Sequence, residues 1–255
     1  MAGRARVLAA TLVLVLAACF AVPGRARATE TARLTAAFRP ERLGAPTALS
    51  LGVDIASPGG GLPSALTGID FNYPPTLAFA TSSLGLASCS QPRLEVEGPA
   101  GCPANSRMGG GSAIVRFPLG PELREESAHI AMVAAPSTDG YLHVLIYANG
   151  EEPVYGQIVM TAVLLHGHLQ FDVPLVPSLP GSPDVAVVRL RVTIGGNLTY
   201  YERARGRTVA FHPKGIGLPS RCPRGGFRFA ATFSFLDGSR VPAGTVVGCP
   251  RRRGR

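Results

Sequence analysis

Phe227-Arg228-Phe229-Ala230-Ala231-Thr232-Phe233-Ser234-Phe235 decides the fold of this chain. Phe227, Phe229, Ala231, Phe233 and Phe235 fall on alternate positions, and successive side chains of a strand point to opposite faces, so the rings share one buried face. Arg228, Thr232 and Ser234 are then expected outside. Asp237-Gly238 follows as a reversal, because glycine tolerates the positive φ of a tight turn, and Thr245-Val246-Val247 reads as the returning strand. Cys222 and Cys249 frame the pair.

Working outward, the same grammar recurs along the chain. Leu34 to Phe38 and Thr47 to Ile55 read as strands joined by a turn from Pro40 to Pro46. Ser64 to Tyr73 reads as a strand closed by Pro74-Pro75, since proline has no amide to give a ladder. Residues 81 to 112 read as a loop-rich region stapled by cysteine, with Gly109-Gly110-Gly111-Ser112 as a flexible lead-in to the strand Ala113 to Phe117. A phosphate-binding loop would need Gly-Lys-Ser or Gly-Lys-Thr opening a helix, and none is present.

From Ser127 the pattern predicts a meander of four antiparallel strands, Ser127–Ala135, Tyr141–Ala148, Val154–Leu165 and His168–Val173. Asp139-Gly140, Asn149-Gly150 and His166-Gly167 are the expected turns. Four prolines between Pro174 and Pro183 end the meander. Val188 to Ile194, Leu198 to Tyr201 and Thr208 to Phe211 are the next strands. The fold expected is all-β, an antiparallel sandwich of immunoglobulin-like Greek-key or meander type. It is drawn either as one extended sandwich or as two packed sandwiches meeting near Leu119 to Glu125. The corresponding division is an N-terminal β region with a cysteine-stapled loop over 29–120 and a C-terminal β-sandwich over 121–250.

The ends carry an address. In 255 residues, Arg4 and Arg6 precede an apolar run from Val7 to Val22 that Pro23-Gly24 ends, and Ala26-Arg27-Ala28 suits signal peptidase. Residues 1–28 are therefore expected to be a signal peptide, giving a soluble secreted chain from Thr29. The competing reading takes Leu16-Ala17-Ala18-Cys19 as a lipobox with Cys19 lipidated, which would tether the protein at the cell surface. The apolar Phe20-Ala21-Val22 after Cys19 departs from the usual polar tether. Net charge is +9, but four arginines lie in the signal and four in the basic tail 251–255. The body between them is nearly neutral, so nucleic acid is not an expected partner.

Cys89, Cys102, Cys222 and Cys249 remain after the signal. An even number in an exported chain predicts two disulfides, and the sequential pairing Cys89–Cys102 and Cys222–Cys249 keeps each bridge local. No pair has the close spacing of a zinc site.

Candidate chemistry is sparse. His166-Gly167-His168 would ligate a metal only on a continuous strand, whereas Gly167 marks a hairpin tip. His129 and His143 lie on neighbouring strands but several pairs apart, with Ala134 expected opposite His143. Ser112, Ser182 and Ser239 lack a Gly-x-Ser-x-Gly elbow. Glu151-Glu152 reads as a solvated hairpin end, and Asp54, Asp70 and Asp172 show no carboxylate pairing. Tyr141, Tyr147, Tyr155, Tyr200 and Tyr201 would supply a carbohydrate-stacking surface only if they converged. Asn197-Leu198-Thr199 matches a glycosylation sequon. No catalytic residue, metal or cofactor is assigned. The function expected is a non-catalytic secreted or cell-surface module that binds an envelope component, protein or glycan, or builds the envelope. Its contact with membrane would run only through a lipid on Cys19. The alternative is an extracellular hydrolase or glycan-acting enzyme without a recognisable motif.

Thr199-Tyr200-Tyr201, Val209 to Ile216, Cys222 to Phe227 and Gly98 to Ala104 resemble recurrent blocks of an uncharacterised family of exported proteins from high-GC actinobacteria. The resemblance runs from Arg33 to Pro250. It implies compartment and disulfides, and no catalytic residues. Lys214 is the sole lysine of the chain, an arginine bias that suits a high-GC coding sequence.

Overall fold

The computed structural model describes residues 30–79, 87–150, 155–195, 199–211 and 215–250. The expected signal peptide, Cys19, Glu151-Glu152, Asn197-Leu198 and the basic tail lie outside these residues. The described chain is all-β. Its strands are β1 (Thr31–Arg39), β2 (Pro46–Ala56), β3 (Leu66–Asn72), β4 (Ala78–Phe79), β5 (Arg107–Leu119), β6 (Glu122–Ala134), β7 (Leu142–Gly150), β8 (Gly156–Leu165), β9 (His168–Asp172), β10 (Ala186–Gly195), β11 (Tyr200–Ala204), β12 (Arg207–Phe211), β13 (Ile216–Gly217), β14 (Phe227–Phe235) and β15 (Arg240–Val247).

Every pairing is antiparallel, and thirteen strands form one sheet in the order β15-β14-β3-β9-β8-β7-β6-β5-β10-β2-β13-β4, with β1 on the other side of β2. Because β1 also lies against β15, the sheet curls round into a nearly closed, barrel-like sandwich. Closure hides the edges that an open sheet would expose. β11 and β12 form a separate hairpin.

The stretch that decided the fold behaves as read. Phe227, Phe229, Ala231, Phe233 and Phe235 are each 3% exposed or less, while Arg228 and Ala230 are exposed. Gly238 has φ +84°, and the Ser239 amide donates to Asp237 Oδ1 at 2.9 Å, closing the turn. The returning strand begins earlier than expected, at Arg240, and Val241 pairs with Phe233.

The meander is present and longer than expected, because β5 to β9 are successive neighbours. Three details are corrected. Asn149 and Gly150 are ladder residues paired with His129 and Ala128, not the turn, because the ladder to β8 continues through Gly150↔Gly156. Ala134 faces Val144 rather than His143, a one-residue difference set by the loop from 135 to 141. Leu119 to Glu125 is a hairpin, with Leu119 opposite Glu122, and strands from before and after residue 120 alternate in one sheet. No boundary between two sandwiches exists there, since β3 is held between β14 and β9 and β2 beside β10.

Gly109, Gly110 and Gly111 are not a flexible lead-in but part of β5, bonded to β6 on one side and β10 on the other. A Cβ on Gly111 would lie 1.9 Å from the Arg191 carbonyl oxygen, and one on Gly109 2.3 Å from that of Thr193. The glycines are what let two backbones approach this closely.

The cysteine-stapled region holds a helix that periodicity does not reveal, α1 (Gln91–Gly101). Its sole buried residue is Leu94, so it carries no apolar stripe. Arg93–Glu97 at 3.3 Å and Gln91–Glu95 at 2.7 Å support its exposed side. Leu94 packs with Cys89, Cys102, Ala131, Val133, Leu145 and Tyr147 in a small core outside the barrel. The bridges Cys89–Cys102 and Cys222–Cys249 both form, with Cα–Cα distances of 5.4 and 5.8 Å. The first joins the two ends of α1, which packs through Leu94 on β6 and β7; the second ties the approach to β14 to the end of β15. No helix among the described residues is long and apolar enough to cross a membrane.

Candidate functional site: the barrel interior

Inward side chains of a closed sheet must fill the space they enclose, and here they do so unevenly. One end is packed solid by aromatic rings. Phe38 meets Phe227 edge-on at 5.1 Å and Phe229 at 6.0 Å, and Phe71 stacks on Phe229 at 6.0 Å and Tyr73 at 6.3 Å. The Tyr73 hydroxyl donates to the Leu165 carbonyl, and burial pushes its pKa up. Ile216 and Leu218, buried beside the short β13–β4 ladder, complete that end.

Toward the other end the rings give way to smaller aliphatic and thioether side chains. A cavity of about 200 Å³ remains, walled by Ala128, Ile130 and Met132 of β6, Ile158 and Met160 of β8, and Phe233 of β14, among others. Alternation along β6 also turns Glu126 inward, the one polar side chain in the lining among the described residues. Glu126 is 5% exposed and is engaged within the protein. β6 reads Glu122-Leu-Arg-Glu-Glu126-Ser-Ala-His-Ile-Ala-Met132, so its phase with Ala128, Ile130 and Met132 was the signal available. A glutamate ahead of a clean alternation looks like a solvated strand end.

The proline-rich segment 174–185 runs from β9 to β10, which stand on either side of the four strands β8 to β5, so it has to cross the end of the barrel. Pro174, Val176 and Val185 line the cavity from above, and the Val185 amide donates to the Val176 carbonyl at 2.9 Å. The mouth is therefore roofed by a strap without secondary structure.

The residues singled out from the sequence lie elsewhere. His143 Nε2 stands 2.9 Å from Asp139 Oδ2, and His168 Nδ1 lies 3.4 Å from Asp70 Oδ1 and 3.3 Å from Asn72 Oδ1. His166 sits at the β8–β9 turn. Among the described residues no three His, Cys, Asp or Glu converge on a point. Hydrogen bonds to Asp139 from the Tyr141 amide and His143 hold its carboxyl below the usual range. Asp54 accepts from Arg191 Nη2 at 2.7 and 2.8 Å and from Arg189 Nε at 3.3 Å. Partial burial raises its pKa, but these arginines outweigh burial and the net shift is downward.

Register brings Ser112 beside His129 and His129 beside Asn149 on the outer face, a row that single strands do not reveal. His129 is solvent-exposed and makes no hydrogen bond with Ser112, so no activated nucleophile results. Ser182 and Ser239 serve turns, the latter donating to Glu30 Oε2 at 3.2 Å. Tyr147 is buried beneath α1, Tyr141 and Tyr155 flank opposite ends of the β7–β8 ladder, and Tyr201 lies on the separate hairpin. They do not form one platform. A second depression of about 210 Å³, by Asp54, Arg116, Glu125 and Arg189, lies on the surface, and its charges already pair with one another. The interior cavity is the candidate site, because among the described residues no side chain fills the space its apolar wall encloses.

No family model matches the chain, and neither does any curated protein or solved structure.

Proposed function

We propose that this chain is an exported, non-catalytic binding protein of the cell envelope that carries an apolar small molecule inside its barrel. The observation that supports this is the cavity. Protein interiors are packed to crystal-like density, so an apolar space of about 200 Å³ is a large departure for a folded core. A dry cavity of ~150 Å³ already binds benzene. The interior of a closed β-sheet can hold one small ligand where side chains do not fill it. Two disulfides suit an oxidising compartment. In this reading residues 1–28 direct export.

The test is uptake of diphenylhexatriene, a rod-shaped hydrocarbon whose fluorescence rises in apolar surroundings. Saturable uptake at one molecule per chain is expected, and Ala128→Phe, which fills the cavity, should remove it while the protein still melts cooperatively. Absence of uptake by the native chain would overturn the reading. Amino-terminal sequencing of the exported protein should begin at Thr29, and palmitate incorporation dependent on Cys19 would make it a surface lipoprotein instead.

A further inference from the structure

The shape and single polar group of the cavity say what kind of molecule suits it. Glu126, Ala128, Ile130 and Met132 line one wall in succession. At ~3.3 Å per residue that is roughly 20 Å of strand, or ~15 Å along the axis of a barrel of ordinary tilt. A wall of this length, apolar beyond its first residue, matches the length of one hydrocarbon chain.

Glu126 marks which end of that molecule faces the mouth. It pairs in register with Val115, and the residues that share its end of the lining are Gly150 and Gly156, where β7 meets β8, and Pro174 and Val176 of the strap. Beyond it, toward the aromatic floor, every side chain in the lining is apolar. The carboxyl is already engaged within the protein. Its two oxygens nevertheless offer about four acceptor positions, and so can receive a further donor. In a water-poor site, a head group bearing N–H or O–H gains a charge-assisted hydrogen bond there. A carboxylate or phosphate head would instead bring a second negative charge against the first, which a low dielectric makes costly.

Resting on the carrier reading above, we infer that the ligand is a single-chain amphiphile whose head donates hydrogen bonds, an amine or an alcohol, to the Glu126 carboxylate at the mouth. Fatty acids and phospholipid-type anionic heads are selected against by the same residue.

The experiment is displacement of bound diphenylhexatriene from the full mature chain by dodecylamine, dodecan-1-ol and dodecanoate below their micellar concentrations. A hydrogen bond to a charged partner is worth ~1.5–3 kcal/mol, so the amine and alcohol should displace at concentrations about tenfold or more below dodecanoate. In Glu126→Gln the side chain keeps its shape and loses its charge. The three ligands should then fall within about threefold of one another, and a cooperative thermal melt shows that the variant has folded. Equal displacement by all three in the native chain, or preference for dodecanoate, overturns the head-group assignment and leaves the carrier reading standing. Failure of diphenylhexatriene to enter the native barrel overturns both.

Discussion

Phe38 of β1 and Phe227 of β14 meet edge to face, 5.1 Å between centroids and 77° between planes, although their strands share no ladder. They tie one side of the closing seam to the other. Both are 1% exposed or less, so truncation leaves a hole that nothing can fill. Phe38→Ala should cost ~3–5 kcal/mol in urea unfolding, a large part of a domain's ~5–15 kcal/mol. In a double-mutant cycle with Phe227→Ala, a coupling of ~0.5–1.5 kcal/mol is expected. Strict additivity would mean that the rings do not act as a seam.

Phe233 bounds the cavity and is 1% exposed, while its neighbour Ser234 belongs to the outward phase of β14 and is part-buried. Phe233→Ala should lower stability by ~3–5 kcal/mol and enlarge the cavity, whereas Ser234→Ala should stay within ~0.5 kcal/mol. Thermal melts of the two variants decide the matter. Equal melting temperatures would place the register of β14 in error.

Gly111→Ala puts a methyl 1.9 Å from a main-chain oxygen that cannot rotate away, so β5 and β10 must separate locally. A loss at or above the ~1–3 kcal/mol typical of overpacking is expected. Gly61 has φ −73° with nothing within 4 Å of its would-be Cβ. Gly61→Ala should therefore be neutral or stabilise by up to ~1 kcal/mol through the unfolded chain. Urea midpoints compare the two, and a harmless Gly111→Ala would show that the two backbones are not in close approach.

Asp54 has its pKa lowered in the folded protein, so its contribution to stability is present above the unfolded carboxyl's ~3.9 and is lost as pH falls through the folded value. The side chain is 40% exposed, and screening limits the contribution to at most ~1 kcal/mol. Asp54→Asn should therefore cost little at neutral pH and flatten the decline in melting temperature below about pH 4. An unchanged acid slope in the variant would remove Arg191 and Arg189 as the cause.

Most of the long strands, the apolar face of those that alternate cleanly, and the local pairing of the four cysteines were legible in the sequence. Those properties are written in neighbours two positions apart, as in Phe227 to Phe235, or in turn residues such as Asp237-Gly238. Three signals were too faint or ambiguous: α1 has one anchoring residue, Leu94; Asn149-Gly150 has turn chemistry inside a ladder; and Gly109 to Gly111 look loose where they are in fact tightest. Only the tertiary structure decided that β3 lies between β14 and β9, that β10 enters between β5 and β2, and that β1 returns to β15. Alternation fixes the buried face of a strand but is the same for every neighbour it might choose. The choice is made by twist, closure and the connections available. The cavity is a consequence of that closure. Side chains enough to fill a flat sandwich leave a space when the sheet curls round, and the same curling turns Glu126 from an apparent surface charge into the polar end of an apolar chamber.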